Sequence, residues 1–300
     1  MYDIIIIGGG PAGLTAAVYG RRNGKSVLIM EKSVFGGQIV NSPKVENIPG
    51  FDSISGDEFA DRYLDQAMGQ GAEVALEEAV SVEKRGDLFY VTGIEGNVYE
   101  GRTLIDACGC RHRLLGLEGE EDLVGHGISF CATCDGDFYR DQRVVVIGGG
   151  NSAFVEANLL ASLVSKLVIL QDLPYFTAEE KSQEALFAHK NVETHTGTKI
   201  LAYEVNDGKL CGVRYLENGE EKVAECEGVF LAVGLIPDNR LFAEYADLDG
   251  YGYVDAKEDC STKTAGLFVA GDCRKKGLRQ VATACSDGAV AAIAACRYLG

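Results

Sequence analysis

The stretch Asp3 to Gly10, DIIIIGGG, runs on through Pro11 and Ala12 to Gly13, and its reading decides the fold. Four consecutive isoleucines are the mark of a strand covered on both faces, as in a parallel sheet. Leu14 to Gly20 is Ala-rich and favours helix, and Val27 to Met30 returns to apolar strand. In such a β-turn-α-β unit Gly8 permits the tight bend, Gly10 lets a pyrophosphate approach the backbone, and Gly13 lets helix and strand pack closely. Free amides at the helix start face the anion. Glu31 closes the second strand, where a carboxylate accepts hydrogen bonds from a ribose hydroxyl pair. Glycines alone are often turn formers and nothing more. With a strand before, a helix after and an acid at the end of the next strand, they point to a nucleotide.

The pattern returns at Arg143 to Gly150, RVVVIGGG, followed by a helical stretch from Ala153 to Ala161 and an apolar strand from Leu167 to Leu170. Gly148, Gly150 and Ala153 preserve the shape of the turn. Its ligand end is changed, because Gln171 stands where the first copy has Glu31. Residues Gln171, Asp172, Leu173, Pro174, Tyr175, Phe176 and Thr177 include no cation. A 2′-phosphate needs Arg or Lys there, and Asp172 repels it, so charge disfavours NADPH. NADH stays open, since Asp172 lies next to the ribose-binding position.

Two later apolar stretches, Gly228 to Val233 and Leu267 to Ala270, are each followed by a glycine. The second runs into Gly271-Asp272, an acid at the carboxyl end of a strand, where open α/β sheets place their ligands. The second nucleotide fold lies between the first and this Gly-Asp. The expected architecture is therefore α/β, with two Rossmann-like, doubly wound domains, the second inserted into the first. The outer domain takes residues 1–113 and 243–300 and the inserted one 116–240, with short crossings near Arg113 to Gly119 and Pro237 to Phe242.

A length of 300 residues suits two domains, and 46% apolar residues supply a core for each. The net charge of −17 argues against nucleic acid, whose backbone demands clustered Lys and Arg. Arg274, Lys275, Lys276 and Arg279 form a local basic run, a solvated loop or a place to meet an acidic partner or a cofactor phosphate. The apolar run at the N-terminus lacks a basic flank and is too short for a signal peptide. No stretch approaches the roughly 20 apolar residues of a membrane span. Ten cysteines in a chain this long do not read as a secreted disulfide scaffold, and a reducing, cytoplasmic setting is expected.

Cys131-Ala132-Thr133-Cys134-Asp135 places two thiols one helical turn apart, beside a carboxylic acid. Such a pair can close into a disulfide and reopen. At a helix start one thiol's pKa can fall from about 8.5 to near 7. Cys108, Cys110, Cys131 and Cys134 could instead form a four-thiol zinc site. Against that, Cys108 and Cys110 end an apolar strand of the other domain, and no metal is expected. Asp135 reads equally as a helix cap or as an acid serving Cys134. Cys211, Cys226, Cys260, Cys273, Cys285 and Cys296 read as small core residues, with Cys273 a candidate to lie near the cofactor because it follows Asp272. The four histidines show no metal spacing.

Taken together, GGGPAG (Gly8 to Gly13), GGQ (Gly36 to Gln38), VENIPGF (Val45 to Phe51), CATCDG (Cys131 to Gly136), AGD (Ala270 to Asp272) and RQVATA (Arg279 to Ala284) give the chain a close resemblance to the low-molecular-weight flavin-dependent thioredoxin reductases over nearly its whole length. The resemblance implies FAD in the outer domain, contacted by Gly8, Gly10, Gly13, Glu31, Gln38, Asn47, Asp272, Arg279 and Gln280. It implies a homodimer and an inserted, nicotinamide-domain-like module carrying the redox pair. Cys134 would face the flavin, Cys131 would attack the disulfide of thioredoxin or a similar small dithiol protein, and Asp135 would manage the proton. No thioredoxin-like module is fused to the chain, so the acceptor is expected to be a separate protein. Serving both a buried flavin and a protein partner implies rotation of the inserted domain about its crossings.

Three departures from the family pattern stand out. An HRR-type run and a following Arg are replaced by Gln171, Asp172, Leu173 and Thr177. A GHxP segment becomes Gly234-Leu235-Ile236-Pro237. An ATG segment becomes Ala107-Cys108-Gly109, preceded by Asp106. The first departure resembles the branch that draws electrons from reduced ferredoxin, which is the expected donor, with NADPH or NADH as alternatives. A flavin can accept single electrons and deliver pairs. A non-catalytic flavin redox sensor is a further alternative.

Overall fold

The isoleucine run becomes β1 (Tyr2–Ile7), buried from Ile4 onward, in a computed structural model that describes residues 1–42 and 45–300. Pro11 opens α1 (Pro11–Arg22), where its missing N–H costs nothing. The fully buried β2 (Val27–Glu31) follows. Next come α2 (Gly56–Gly69), capped by the Ser55 hydroxyl, and β3 (Glu73–Leu76). β4 (Ala79–Arg85), β5 (Leu88–Gly93) and β6 (Val98–Asp106) form an antiparallel meander. β7 (Cys110–His112) leads to the inserted stretch.

There α3 (Glu120–Leu123), β8 (Ile128–Ser129) and the single-turn α4 (Ala132–Asp135) precede a second winding. That winding consists of β9 (Arg143–Ile147), α5 (Asn151–Ala161), β10 (Lys166–Leu170), α6 (Glu180–Phe187) and β11 (Val192–His195). β12 (Lys199–Asn206), β13 (Lys209–Glu217) and β14 (Glu220–Glu225) make a separate antiparallel sheet. β15 (Gly228–Leu231) rejoins the parallel sheet, and β16 (Leu235–Pro237) pairs with β7. β17 (Leu267–Val269) and α7 (Val281–Leu299) close the chain.

Two units result, Met1–Arg111 with Ile236–Gly300, and His112–Leu235. In the first, the sheet order is β3-β2-β1-β6-β5-β4, with β17 also beside β6. In the second, the parallel sheet runs β11-β10-β9-β15-β8. The α/β architecture of two Rossmann-like folds is as the sequence implied. The meander and the β12-β13-β14 sheet were not anticipated.

Small residues set the packing of the first unit. Ala16, Ala17 and Gly20 on α1 and Ala291, Ala292 and Ala295 on α7 are buried. A Cβ on Gly288 would fall 2.1 Å from the Ala12 carbonyl oxygen, so a glycine there lets α7 lean on the start of α1. No helix among the described residues is long and apolar enough to cross a membrane.

Candidate functional site

The first turn has the backbone that its glycines require. Gly8 takes φ of 109°, and a Cβ on Gly13 would lie 1.9 Å from the Gly8 carbonyl oxygen. Gly10 is open, its nearest neighbours 3.9 Å from a would-be Cβ. Glu31 is buried at the end of β2, where one carboxylate oxygen accepts the Gly9 N–H at 2.8 Å and the other the Ser33 N–H at 3.0 Å. The Gly36 N–H is donated to the Gly9 carbonyl at 2.8 Å, which brings the Gly36–Gln38 loop onto the turn.

The other expected contacts pair off in the same unit. The Gln38 amide donates to the Cys110 carbonyl, and the Asn47 amide donates to the Gln280 side-chain oxygen at 3.0 Å. Arg279 donates to the Asp272 carbonyl at 3.3 Å and lies 4.1 Å over the Tyr253 ring. Asp272 Oδ1 is buried with no hydrogen-bond partner, although the Lys276 ammonium stands 3.0 Å away as an ion pair. Cys110 lies near Asp272 and Arg279; burial pushes its thiol up to about 11.

The basic run is not a free surface. Arg274 and Lys276 both hold Asp287, at 2.9 and 3.1 Å, and Lys275 holds Asp255 at 2.9 Å. These cations neutralise the chain's own acids.

The second turn repeats the path of the first without its carboxylate. Gly148 has φ of 129°, and the Gln171 side chain, 5% exposed, lies where a Cβ on Gly149 would meet it at 2.5 Å. Asp172 accepts the neighbouring Leu173 N–H at 2.9 Å. His195, beside Leu170 in the sheet, is held between Glu193 and Glu217 at 2.9 and 3.0 Å. Lys166 and Lys222 are engaged by these same two carboxylates, Glu193 and Glu217, and residues 171–177 bring no cation for a 2′-phosphate.

Cys131 and Cys134 are joined as a disulfide, which removes both from the zinc reading. Cys131 is the N-cap of α4, and its sulfur accepts the Cys134 N–H at 3.2 Å. Asp135 caps nothing, contrary to one of its two expected roles. Its carboxylate instead accepts the Ser129 hydroxyl at 2.6 Å, and its other oxygen is buried without a partner. Burial pushes the Asp135 carboxyl above its ordinary value, and the Ser129 hydrogen bond opposes that shift.

Glu156, on α5, accepts the Ala132 N–H at the start of the dithiol turn. Neither Ser129 nor Glu156 was expected from sequence. Ser129 lies within reach of any local search, two residues before Cys131, whereas Glu156 is separated from Ala132 by 24 positions and announces itself by no motif. Cys226, Cys260, Cys273 and Cys296 are buried as expected. Cys211 is a correction: it is exposed on β13, where alternate side chains face outward. Cys285 is only part-buried.

A model of the pyridine nucleotide-disulphide oxidoreductase family matches residues 2–288 of the chain. The chain belongs to this family. Thioredoxin reductase of Listeria monocytogenes is 38% identical over 301 aligned residues, covering the whole chain and 94% of that protein. Thioredoxin reductase of Bacillus subtilis is 36% identical, covering the whole chain and 95% of its own length. The crystal structure of thioredoxin reductase from Streptococcus pyogenes superposes with a TM-score of 0.91 at 36% identity, covering all of this chain and 98% of that one.

FAD is the cofactor of this disulphide oxidoreductase family, and the first unit fits it. The uncovered Gly10 backbone at the start of α1 suits a pyrophosphate, and Asp272, its Oδ1 ion-paired with Lys276 but making no hydrogen bond, can accept a hydroxyl.

Proposed function

We propose that this chain is an FAD-dependent disulfide reductase that reduces thioredoxin, or a similar small dithiol protein, in a reducing, cytoplasmic setting. The observation that carries this reading is the Cys131–Cys134 disulfide beside a half-buried, hydroxyl-held Asp135. The glycine turn of the same chain supports a dinucleotide site beside it. Gly8, Gly10 and Gly13 take the pyrophosphate side of FAD, with Glu31 on the ribose. Gln38, Asn47, Asp272, Arg279 and Gln280 complete the grip. When bound, FAD supplies the reducing equivalents that open the disulfide.

In the reduced pair Cys131, as thiolate, attacks one sulfur of the acceptor disulfide, and the other acceptor sulfur leaves as a thiolate. Cys134 loses its proton to Asp135 and attacks the Cys131 sulfur. The Cys131–Cys134 bond re-forms and the second acceptor sulfur departs, so two electrons have passed to the acceptor. The raised affinity of Asp135 for a proton suits it to this task.

The proposed donor is a reduced pyridine nucleotide. The family's description names that coenzyme class, which supports NADPH or NADH better than the reduced ferredoxin expected from the altered second turn. The engagement of Arg274, Lys275 and Lys276 with internal acids also weakens the case for an acidic protein docking on that run. One observation keeps ferredoxin as a second reading: residues 171–177 include no cation for a 2′-phosphate. A homodimer is proposed on the resemblance to the family, and sedimentation of the purified protein tests it.

Anaerobic mixing with NADPH, NADH and reduced ferredoxin separates the donors by the bleaching of the flavin band. Bleaching by ferredoxin alone would overturn the nicotinamide reading and leave the reductase reading intact. Slow bleaching by all three, with thioredoxin left oxidised, would favour the redox sensor. Cys134→Ser should abolish thioredoxin reduction while FAD stays bound; retained turnover would mean that another thiol pair acts.

A further inference from the structure

We infer that Glu156 is a positioning residue of the redox pair, its carboxylate holding the first amide of the dithiol turn and controlling the charge felt by Cys131. This deepens the reading of Cys131–Cys134 as the working dithiol and rests on it. α4 packs on α5, and Ala132, its first residue, is buried and donates its N–H to Glu156. The following amides are already engaged: the Cys134 N–H reaches the Cys131 sulfur at 3.2 Å, and the Asp135 N–H reaches the Cys131 carbonyl at 3.0 Å. A thiolate on Cys131 therefore competes for amides with a fixed carboxylate, and it forms beside that carboxylate's negative charge. Like charges on neighbouring groups in a partly buried site disfavour one another.

The surroundings offer little compensation. On α4 itself stands Asp135, held by Ser129. The turn after α4 (Gly136–Tyr139) brings Tyr139, whose hydroxyl burial pushes up to about 12, and Asp137, paired with Arg140 at 2.5 Å. Before Cys131, Phe130 is stacked by the His112 ring at 4.0 Å, and burial pushes that imidazole down to about 4, so it is neutral. Cys226 bears on Tyr139. Among the described residues packed against the pair, the unpaired charges are the carboxyls of Asp135 and Glu156. Burial raises the Glu156 carboxyl, the Ala132 N–H opposes this, and Asp135 raises it further. Glu156 can therefore take up a proton as the thiolate forms.

The test uses the FAD-loaded full chain, reduced with a small dithiol. The carbamidomethylation rate of Cys131 is followed by peptide mass spectrometry between roughly pH 5 and 10, a range spanning thiol ionisation. Glu156→Gln keeps an oxygen for the Ala132 N–H and removes the charge. We expect the Cys131 midpoint to fall by about one pH unit, with about tenfold faster alkylation on the acid side. An unchanged midpoint with full flavin content overturns the inference. Should that variant fail to fold, difference infrared spectroscopy of the wild-type protein serves instead. The carboxyl titration near the pair should move to higher pH on reduction of the disulfide, and an unmoved titration overturns the inference. Alkylation needs neither donor nor acceptor, so failure here leaves the reductase reading standing. Failure of thioredoxin reduction would sink that reading without moving the midpoint.

Discussion

At the first glycine turn the Ala107 N–H reaches the Ile7 carbonyl across 2.8 Å, and at the second the Ala232 N–H reaches the Ile147 carbonyl across 2.8 Å. Asp106 lies beside Ile7 in the first sheet, and Leu231 lies beside Ile147 in the second. The two backbones thus share this pairing, yet the side chains at their mouths are different: Glu31 against Gln171, Gly13 against Ala153, Asp106 against Leu231. The comparison teaches that strand pairing and a few glycines encode the path of such a turn. What the turn can hold is encoded separately, by residues at the strand ends that can change without disturbing the path.

The largest effect should come from moving the Ala of the second turn into the first. Gly13→Ala drives a methyl to 1.9 Å from the Gly8 carbonyl oxygen, although Ala153 is accepted at the matching place. We expect loss of bound flavin and a stability loss of roughly 3 kcal/mol or more, read from flavin content and thermal melting. A fully flavinated Gly13→Ala protein would break the comparison.

Next comes Asp106, 1% exposed, with Oδ2 lacking a partner. Burial pushes its carboxyl up to about 7, with the Cys108 N–H and the Cys108 and Cys273 thiols opposing that shift. A folded value above the ordinary carboxylate value of about 3.9 means that its contribution is complete below that pH and is lost as pH rises toward 7. Asp106→Asn should flatten this loss and leave the protein roughly 2–4 kcal/mol better off at pH 8 relative to pH 4. Urea unfolding at both values checks it, and equal slopes in the two proteins would deny Asp106 the role. Smallest is Glu31→Gln, which gives the first turn the amide of the second. FAD should bind about 10- to 100-fold more weakly with the fold retained, as loss of hydrogen bonds to a charged group implies. Fluorescence titration of the apoprotein with FAD would sharpen the comparison by isolating the carboxylate.

Much of the fold was legible because a βαβ unit advertises itself locally, through an apolar strand, spaced glycines and a small-residue helix. The β4-β5 hairpin and the β12-β13-β14 sheet escaped notice because their strands carry charges on an open face. β13 exposes Lys209, Cys211 and Arg214 and buries Leu210, Val213 and Tyr215, a broken alternation and a fainter signal than four isoleucines. At the site, Cys131, Cys134 and the turn glycines follow from their own spacing. Gln38, Asn47 and Gln280 entered only through resemblance, since nothing about a lone amide side chain announces a ligand. Asp135 was ambiguous until its Ser129 partner was seen. Glu156 belongs to a helix whose pattern already served another purpose.

The outer unit is made of two separated stretches of chain, and this bears on the order of assembly in the cell. Residues 112–235 are contiguous and can fold as soon as they clear the ribosome. The first unit cannot be finished then, because β17, Asp272, Arg279 and the helix that leans on Ala12 all follow that stretch in the chain. Flavin loading is accordingly expected only after α7 has joined the first stretch of that unit.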